Sequence, residues 1–215
     1  MGRRWIRSGG RRHSVARRIT AADRHFLAGR YGKAEPRLAQ VVAELAAIHA
    51  EEPDDAEAVF LLAPTAYLLG VARHRLGRNE EAVAPLQLSI DLMAPLYAGQ
   101  PSVWGRQLAS STLSAANVAR DLERWPEALA LSRRALELWS EVAGERWASQ
   151  RAFAGSLFAH VRAKAGVELD EALRQVDEAV VANAALLAAE PGPKYQLQLD
   201  AVHHVRSMVV EAMRR

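Results

Sequence analysis

The sequence predicts an all-α protein built from an array of helical hairpins, and three observations support this prediction. The stretch LGRNEEAV at 76–83 recurs as GRYGKAE at 29–35, as LERWPEAL at 122–129 and, with one inserted residue, as AGVELDEAL at 165–173. Apolar residues then follow each copy at steps of three and four, which is the spacing of one helix face. Alanine and leucine dominate the composition, whereas β-branched and aromatic residues are sparse, and this balance favours helices over strands.

The interval between the copies indicates a repeat of 44–48 residues. It is measured between the alanines that open the helix after each turn, Ala34, Ala82, Ala128 and Ala172. Another helix is expected before each turn, over residues 15–29, 56–76, 103–122 and 146–165. Each of these helices carries a small residue at one point, Ala22, Gly70, Ala116 and Ala159. Two small residues facing each other allow the helices of a pair to approach closely, so each pair is predicted to form a tight hairpin.

Helix-start signals stand between the predicted pairs. Either Asp54 or Asp55 is expected to cap the second pair, while Pro101 and Pro126 suit the first turn of a helix. Pro64 falls inside a predicted helix, so a kink or a later start is expected there. The last segment, 195–215, is amphipathic and is expected to cover the end of the stack as a single capping helix.

The repeat resembles the tetratricopeptide repeat family over roughly residues 15–190, although its period exceeds that family's 34 residues. The residues that carry the resemblance are Leu69, Gly70, Leu76, Gly77, Ala82 and Leu86 in the second repeat, and Ala116, Leu122, Ala128 and Ala135 in the third. The family's usual aromatic beside the small residue is replaced by Arg73 and Ala119, and the turn glycine by Glu123. The resemblance implies a right-handed α-solenoid of four antiparallel helix hairpins at 15–193 with a capping helix at 194–215.

The resemblance also implies that a protein or peptide binds in a concave groove lined by the first helix of each pair. The residues expected to face this groove are Tyr67, Val71, His74, Leu113, Asn117, Arg120, Ser156, His160 and Lys164. Asn117, Arg120 and His160 are polar where an otherwise apolar helix needs no polarity. The chain lacks the paired Lys and Asn with which one subfamily binds C-terminal carboxylates, since only Asn117 matches. The expected function is therefore a non-catalytic protein-binding scaffold, serving as the sensing or regulatory module of a bacterial regulatory or biosynthetic assembly.

The uneven distribution of charge leaves a second function open. Residues 1–30 contain nine Arg and one Asp, although the whole chain has a net charge of only +3. Residues 1–14 are interpreted as a basic, flexible tail, and the alternative function is a regulator that contacts DNA or RNA through this arm. A third alternative is self-association into a homodimer through an uncovered helix face.

Other classes of function find little support in the sequence. There are no cysteines, which excludes disulfides and thiolate-ligated zinc, and the seven histidines include no pair spaced to share a metal on one helix. Nucleophile and phosphate-loop motifs are absent as well. We therefore expect no enzyme activity, no cofactor and no metal. No apolar run is interpreted as a membrane span and no export signal is recognised, so a cytoplasmic location without membrane contact is expected.

Overall fold

A computed structural model describes residues 2–53, 55–142, 144 and 147–215, with the backbone alone for residues 2–13 and for Lys194. Every regular element in the described residues is helical, and the prediction of an all-α repeat fold is confirmed. The helices are α1 (Gly2–Leu27), α2 (Tyr31–Glu51), α3 (Ala56–Arg75), α4 (Asn79–Gly99), α5 (Pro101–Asp121), α6 (Trp125–Glu141), α7 (Ala148–Ala165), α8 (Leu169–Ala189) and α9 (Pro193–Met213).

The chain divides into two compact units. Unit 1 comprises residues 1–98 with α1–α4, and unit 2 comprises residues 99–215 with α5–α9. In unit 1, Ala22 of α1 shares a core cluster with Ala34 and Leu38 of α2. Val15, earlier in α1, shares another with Val41 and Leu45, later in α2. Early residues of one helix thus meet late residues of the next, so the two helices are antiparallel.

Unit 2 shows the same arrangement and adds a helix to it. Its main described cluster joins Ala152 and Ala159 of α7 to Ala172, Val176 and Ala179 of α8. Helix α9 buries Val202, Val205 and Val209 in that cluster, as expected of an amphipathic capping helix. Arg206 of α9 also donates a hydrogen bond to Asp177 of α8 at 2.6 Å. The last helix therefore packs on the fourth hairpin as expected.

The predicted close approach within each hairpin is confirmed. All eight small residues that the repeat singled out are buried, namely Ala22, Ala34, Gly70, Ala82, Ala116, Ala128, Ala159 and Ala172. The approach is closest at Gly70, where an added Cβ would lie 2.5 Å from Cγ of Leu86. A hairpin this tight has no room for a larger side chain at that point.

The recurring turn is a helix C-cap of one type. After α3, the amide of Gly77 donates to the carbonyl of His74 and the amide of Arg78 to that of Arg73, both at 2.9 Å. This pair of hydrogen bonds is the Schellman motif, which needs a residue with left-handed backbone conformation after the cap. Gly77 supplies that conformation with φ of 73°, and Glu123 adopts it with φ of 56° although it carries a side chain. The third turn therefore keeps its geometry without its glycine.

Several helix boundaries differ from the prediction. Helix α1 begins at Gly2 rather than near residue 15, so residues 2–14 are helical, while their flexibility stays a prediction. Asp55 caps α3 by accepting hydrogen bonds from the amides of Glu57 and Ala58 at 3.0 and 3.2 Å; Asp54, the other candidate, lies outside the described residues. The expected late start at Pro64 is wrong, because α3 begins at Ala56 and continues through the proline.

One helix in the described part of the chain has the length and composition of a membrane span. It is α3, Ala56–Arg75, and half of its most apolar window is buried inside the fold. By length and composition alone, the sequence-based interpretation that the chain has no candidate membrane span is therefore wrong. Leu62 and Leu69 of α3 each pack in a core cluster of unit 1, which accounts for the apolar character of this helix.

Candidate functional site

The predicted groove residues fall into two separate sets, one in each unit. Tyr67, Val71 and His74 lie on α3 of unit 1, and all three are half-buried. The remaining six lie on α5 and α7 of unit 2. Leu113, Asn117 and Ser156 are buried there, whereas Arg120 and His160 are half-buried and Lys164 is exposed. Most of the accessible surface of the unit 2 set therefore belongs to Arg120, His160 and Lys164.

Asn117 has a structural use that the sequence could not show. Its side-chain amide donates a hydrogen bond of 2.9 Å to the carbonyl of Leu113, one turn earlier on α5, and its side chain is buried. Asn183 on α8 does the same toward Ala179 at 2.8 Å. A buried amide must find such a partner, because an unsatisfied one costs about 1–3 kcal/mol. A polar residue on an apolar helix therefore indicated a local bond as readily as a ligand contact.

Three of the predicted residues come together in a pocket of unit 2. Arg120, Ser156 and His160 line an open cavity of about 370 Å³, which α7 and α9 form with contributions from α5 and α8. This volume lies at the lower end of the ~300–1,000 Å³ typical of ligand sites. Leu113, Asn117 and Lys164 are not part of its lining.

The walls of the pocket are largely apolar. Phe153 on α7 and Leu197 on α9 line it while remaining 48% and 70% exposed, and Leu157 and Val202 are buried beneath them. Exposed apolar side chains beside a concavity mark surfaces that bind partners or ligands, whereas scattered ones need no explanation. Sequence reasoning missed this half of the site, because the alignment of repeats stopped at the fourth hairpin. The signal was available in Leu197, Ala201 and His204, which lie at helical spacing beside the buried stripe of α9.

His160 is the titratable group that the pocket perturbs most. Burial, the largest cause, and the positive charges of Arg120, Lys164 and His204 together lower the pKa of His160 from 6.5 to about 4, against an opposing effect of Asp121. The imidazole is therefore neutral at pH 7 and can donate or accept one hydrogen bond. Arg120 carries the cation at the same place, and its Nε and Nη2 donate to Oδ1 of Asp121 at 2.9 and 2.7 Å.

A second and larger cleft, about 420 Å³, lies among α6, α7 and α8. Ala152, Gly155 and Ala179 line its floor, and Arg174 stands on its rim. The guanidinium of Arg174 is held by the carboxylates of Glu171 and Glu178. Because small residues form the floor and the rim charge is neutralised locally, this cleft has less to offer a ligand than the pocket beside α9. Among the described residues, no group of three or more His, Asp or Glu is placed to hold a metal ion.

Comparison with known proteins bears on the fold. No family model and no curated protein matches the chain. A crystal structure described as Podosopora anserina kinesin light chain nearly identical TPR-like repeats has a TM-score of 0.62 at 19% identity, covering 94% of this chain and 91% of that chain. The structure of the yeast histone chaperone Hif1, described as a scaffold protein recruiting protein complexes to core histones, has a TM-score of 0.57 at 13% identity, covering 94% of this chain and 97% of that chain.

BtubC from P. vanneervenii also shares the fold, with a TM-score of 0.51 at 18% identity over 93% of this chain and 87% of that chain. At identities this low, the structural similarity establishes a common architecture only. Function has to be argued from the residues of the site. This chain has a TPR-like helical-repeat fold, as its resemblance to that family predicted.

Proposed function

We propose that this chain is a non-catalytic scaffold that binds a protein or peptide partner, and that the pocket of unit 2 receives an apolar side chain of that partner. The observation that carries the proposal is the exposure of Phe153 and Leu197 at the mouth of a concave, mostly apolar cavity. Fully burying a side chain of this size contributes about 1.5–3 kcal/mol, so one anchoring residue provides a binding hot spot. The fold shared with TPR-like proteins, among them a scaffold, supports the same proposal.

A capture experiment with matched variants tests this function. The full chain, immobilised, is incubated with a lysate of the source organism and compared with Leu197→Glu and with Val181→Glu. Both residues are in unit 2, both are 70% exposed, and only Leu197 lines the pocket. We expect a partner that wild type and Val181→Glu retain and Leu197→Glu loses. Equal capture by all three proteins would remove the pocket from the function. Asn117→Ala is unsuitable as a probe, since Asn117 is buried and bonded within α5.

The alternative of a nucleic-acid contact is favoured by one observation, the nine arginines within residues 1–30. Its test is a deletion that ends at residue 13, because Val15 is fully buried in the unit 1 core and a longer deletion would disturb folding. Affinity for duplex DNA should fall steeply with salt and be lost on deletion. Affinity that the deletion leaves unchanged would argue against this alternative. The cytoplasmic location, the bacterial regulatory setting and the homodimer are further parts of the proposal that rest on the sequence alone.

A further inference from the structure

Among the described residues that line the unit 2 pocket, none is acidic and Arg120 carries a positive charge. His160 and His204 line it as well, the first as a neutral imidazole at pH 7. Lys164, one turn beyond His160 on α7, is exposed and close enough to affect the protonation of His160. An apolar cavity with a cationic rim is complementary to an apolar group that carries a negative charge nearby.

An acidic residue beside this rim already binds its arginine. Asp121, the last residue of α5, receives two N–H groups of Arg120 on a single carboxylate oxygen. Both side chains remain about a quarter to a third exposed, at 26% and 31%, so the pair lies within reach of solvent. A guanidinium prefers carboxylates as partners and binds them through two parallel bonds. Asp121 therefore demonstrates, inside the molecule, the kind of group that Arg120 accepts at this rim.

We infer that the partner segment is acidic: an apolar side chain enters between Phe153 and Leu197, and a neighbouring carboxylate binds Arg120 in competition with Asp121. This inference rests on the proposed function and gives the partner its chemistry. Asp121 acts as a built-in competitor, because it neutralises Arg120 until a better-placed carboxylate arrives. Its presence weakens the binding of an acidic partner and leaves a neutral apolar group unaffected.

Two fluorescent dyes of similar apolar size test the inference on the full chain. Anilinonaphthalene sulfonate is anionic, and phenylnaphthylamine is its neutral counterpart without the sulfonate. The ratio of their affinities isolates the contribution of charge, since the apolar contacts are common to both. We expect the anionic dye to bind more tightly, Arg120→Gln to lower the ratio about threefold to fivefold and Asp121→Asn to raise it by a similar factor, as a partly exposed ion pair would.

The neutral dye separates the two levels of the proposal. If Leu197→Glu weakens the binding of the neutral dye and Val181→Glu does not, the proposed apolar pocket is supported. With that result in hand, a ratio of dye affinities that is unchanged in both Arg120→Gln and Asp121→Asn overturns only the inference that the partner is acidic. If neither Leu197→Glu nor Val181→Glu changes the affinity of the neutral dye, the proposal that the pocket binds an apolar group is wrong. An unchanged affinity of the neutral dye for Arg120→Gln confirms that this variant is folded.

A peptide arm tests that the occupant is a polypeptide. A blocked peptide with one leucine between aspartates should displace the anionic dye at a lower concentration than its asparagine analogue. Asp121→Asn should widen the difference between the two peptides. Equal displacement by both peptides in wild type and in Asp121→Asn would contradict an acidic peptide as the occupant.

Discussion

The hairpins α3–α4 and α7–α8 carry an arginine at the same repeat position, three residues after Gly70 and Ala159, and each gives it a different use. Arg73 donates from Nε to the buried carboxylate of Glu35 on α2, at 3.0 Å, and so links the two hairpins of unit 1. Arg162 is held by Glu168 in the turn that follows its own helix, and it lies 3.8 Å from the ring centre of Phe158. One position thus connects neighbouring hairpins in unit 1 and closes a single hairpin in unit 2.

A proline explains part of this difference. Pro85 on α4 has no N–H, so the carbonyl of Glu81 lacks its usual donor four residues later. Nη1 of Arg73 supplies that donor at 3.0 Å. At the equivalent place in α8 stands Gln175, which keeps its backbone N–H and instead accepts a bond from Arg162 on its side chain at 3.2 Å. An arginine at this position, where the repeats that the sequence resembles have an aromatic, therefore requires acceptors close by.

The largest expected effect comes from Gly70→Ala, which tests how closely α3 and α4 pack. The new Cβ would lie 2.5 Å from Cγ and 2.8 Å from Cδ2 of the fully buried Leu86, so the Leu86 side chain or the helix backbones must shift. We expect a loss of about 1–3 kcal/mol in the free energy of unfolding, measured by urea denaturation followed by circular dichroism. Gly155→Ala on α7 is the matched control, because its Cβ would meet atoms only at 3.9 and 4.0 Å. The control should be neutral or stabilising, and equal losses in both variants would contradict the difference in packing.

Arg73→Met should be more damaging than Arg162→Met. It removes the closer of the two arginines that pair with the buried carboxylate of Glu35, leaving Arg78 at 3.4 Å, and it removes the donor to the carbonyl of Glu81. The acidic partners of Arg162, in contrast, are exposed enough for water to solvate them. The expected cost for Arg73→Met is about 1–2 kcal/mol in the free energy of unfolding.

A double-mutant cycle sharpens this result. Pro85→Ala restores the N–H that bonds to Glu81, so it should recover part of the stability lost in Arg73→Met. Stability changes that simply add across the cycle would show that the arginine does not serve the proline.

Protonation of His160 should make unit 2 sensitive to acid. Its pKa of about 4 in the folded protein lies below the unfolded value of 6.5, so between these two pH values the unfolded chain is protonated at His160 and the folded protein is not. The stability contribution is complete above pH 6.5 and is lost as the pH falls toward 4. Allowing for solvent screening at a partly exposed site, we expect a loss of about 1 kcal/mol between pH 7 and 4.5. His160→Gln should abolish this component, measured as the difference in urea midpoint between the two pH values.

The smallest effects concern the turns. Gly77→Ala introduces a side chain at φ of 73°, where nothing within 4 Å obstructs it, so the cost is purely conformational at about 1 kcal/mol. Glu123→Gly is the reverse change in the third turn, and it should stabilise by about 0.5–1 kcal/mol. Thermal unfolding of the two variants should therefore shift in opposite directions. A shift in the same direction would mean that the two turns differ in more than their backbone.

The sequence predicted those features that repeat. The small residues Gly70 and Ala116 and the alanines after each turn mark positions where two helices approach closely. Because a larger side chain would clash at such positions, this recurring pattern predicts the close approach directly. The sequence could not predict that the side chain of Asn117 donates its hydrogen bond to a carbonyl of its own helix. Periodicity places a side chain on a helix face but does not say which group it bonds to. The sequence also placed Leu197 and His204 only on a capping helix. Their role at the pocket depends on how α9 packs against α7, which no repeat interval records.

The fourth turn accommodates an extra residue that the other turns lack. Gly166 and Glu168 both adopt left-handed backbone, with φ of 67° and 49°, and together they absorb the insertion while Ala172 still packs fully buried in its hairpin. Val167 between them is exposed. The position of Val167 is thus suited to the insertion of a short epitope or labelling tag, provided that the pair between Arg162 and Glu168 is kept.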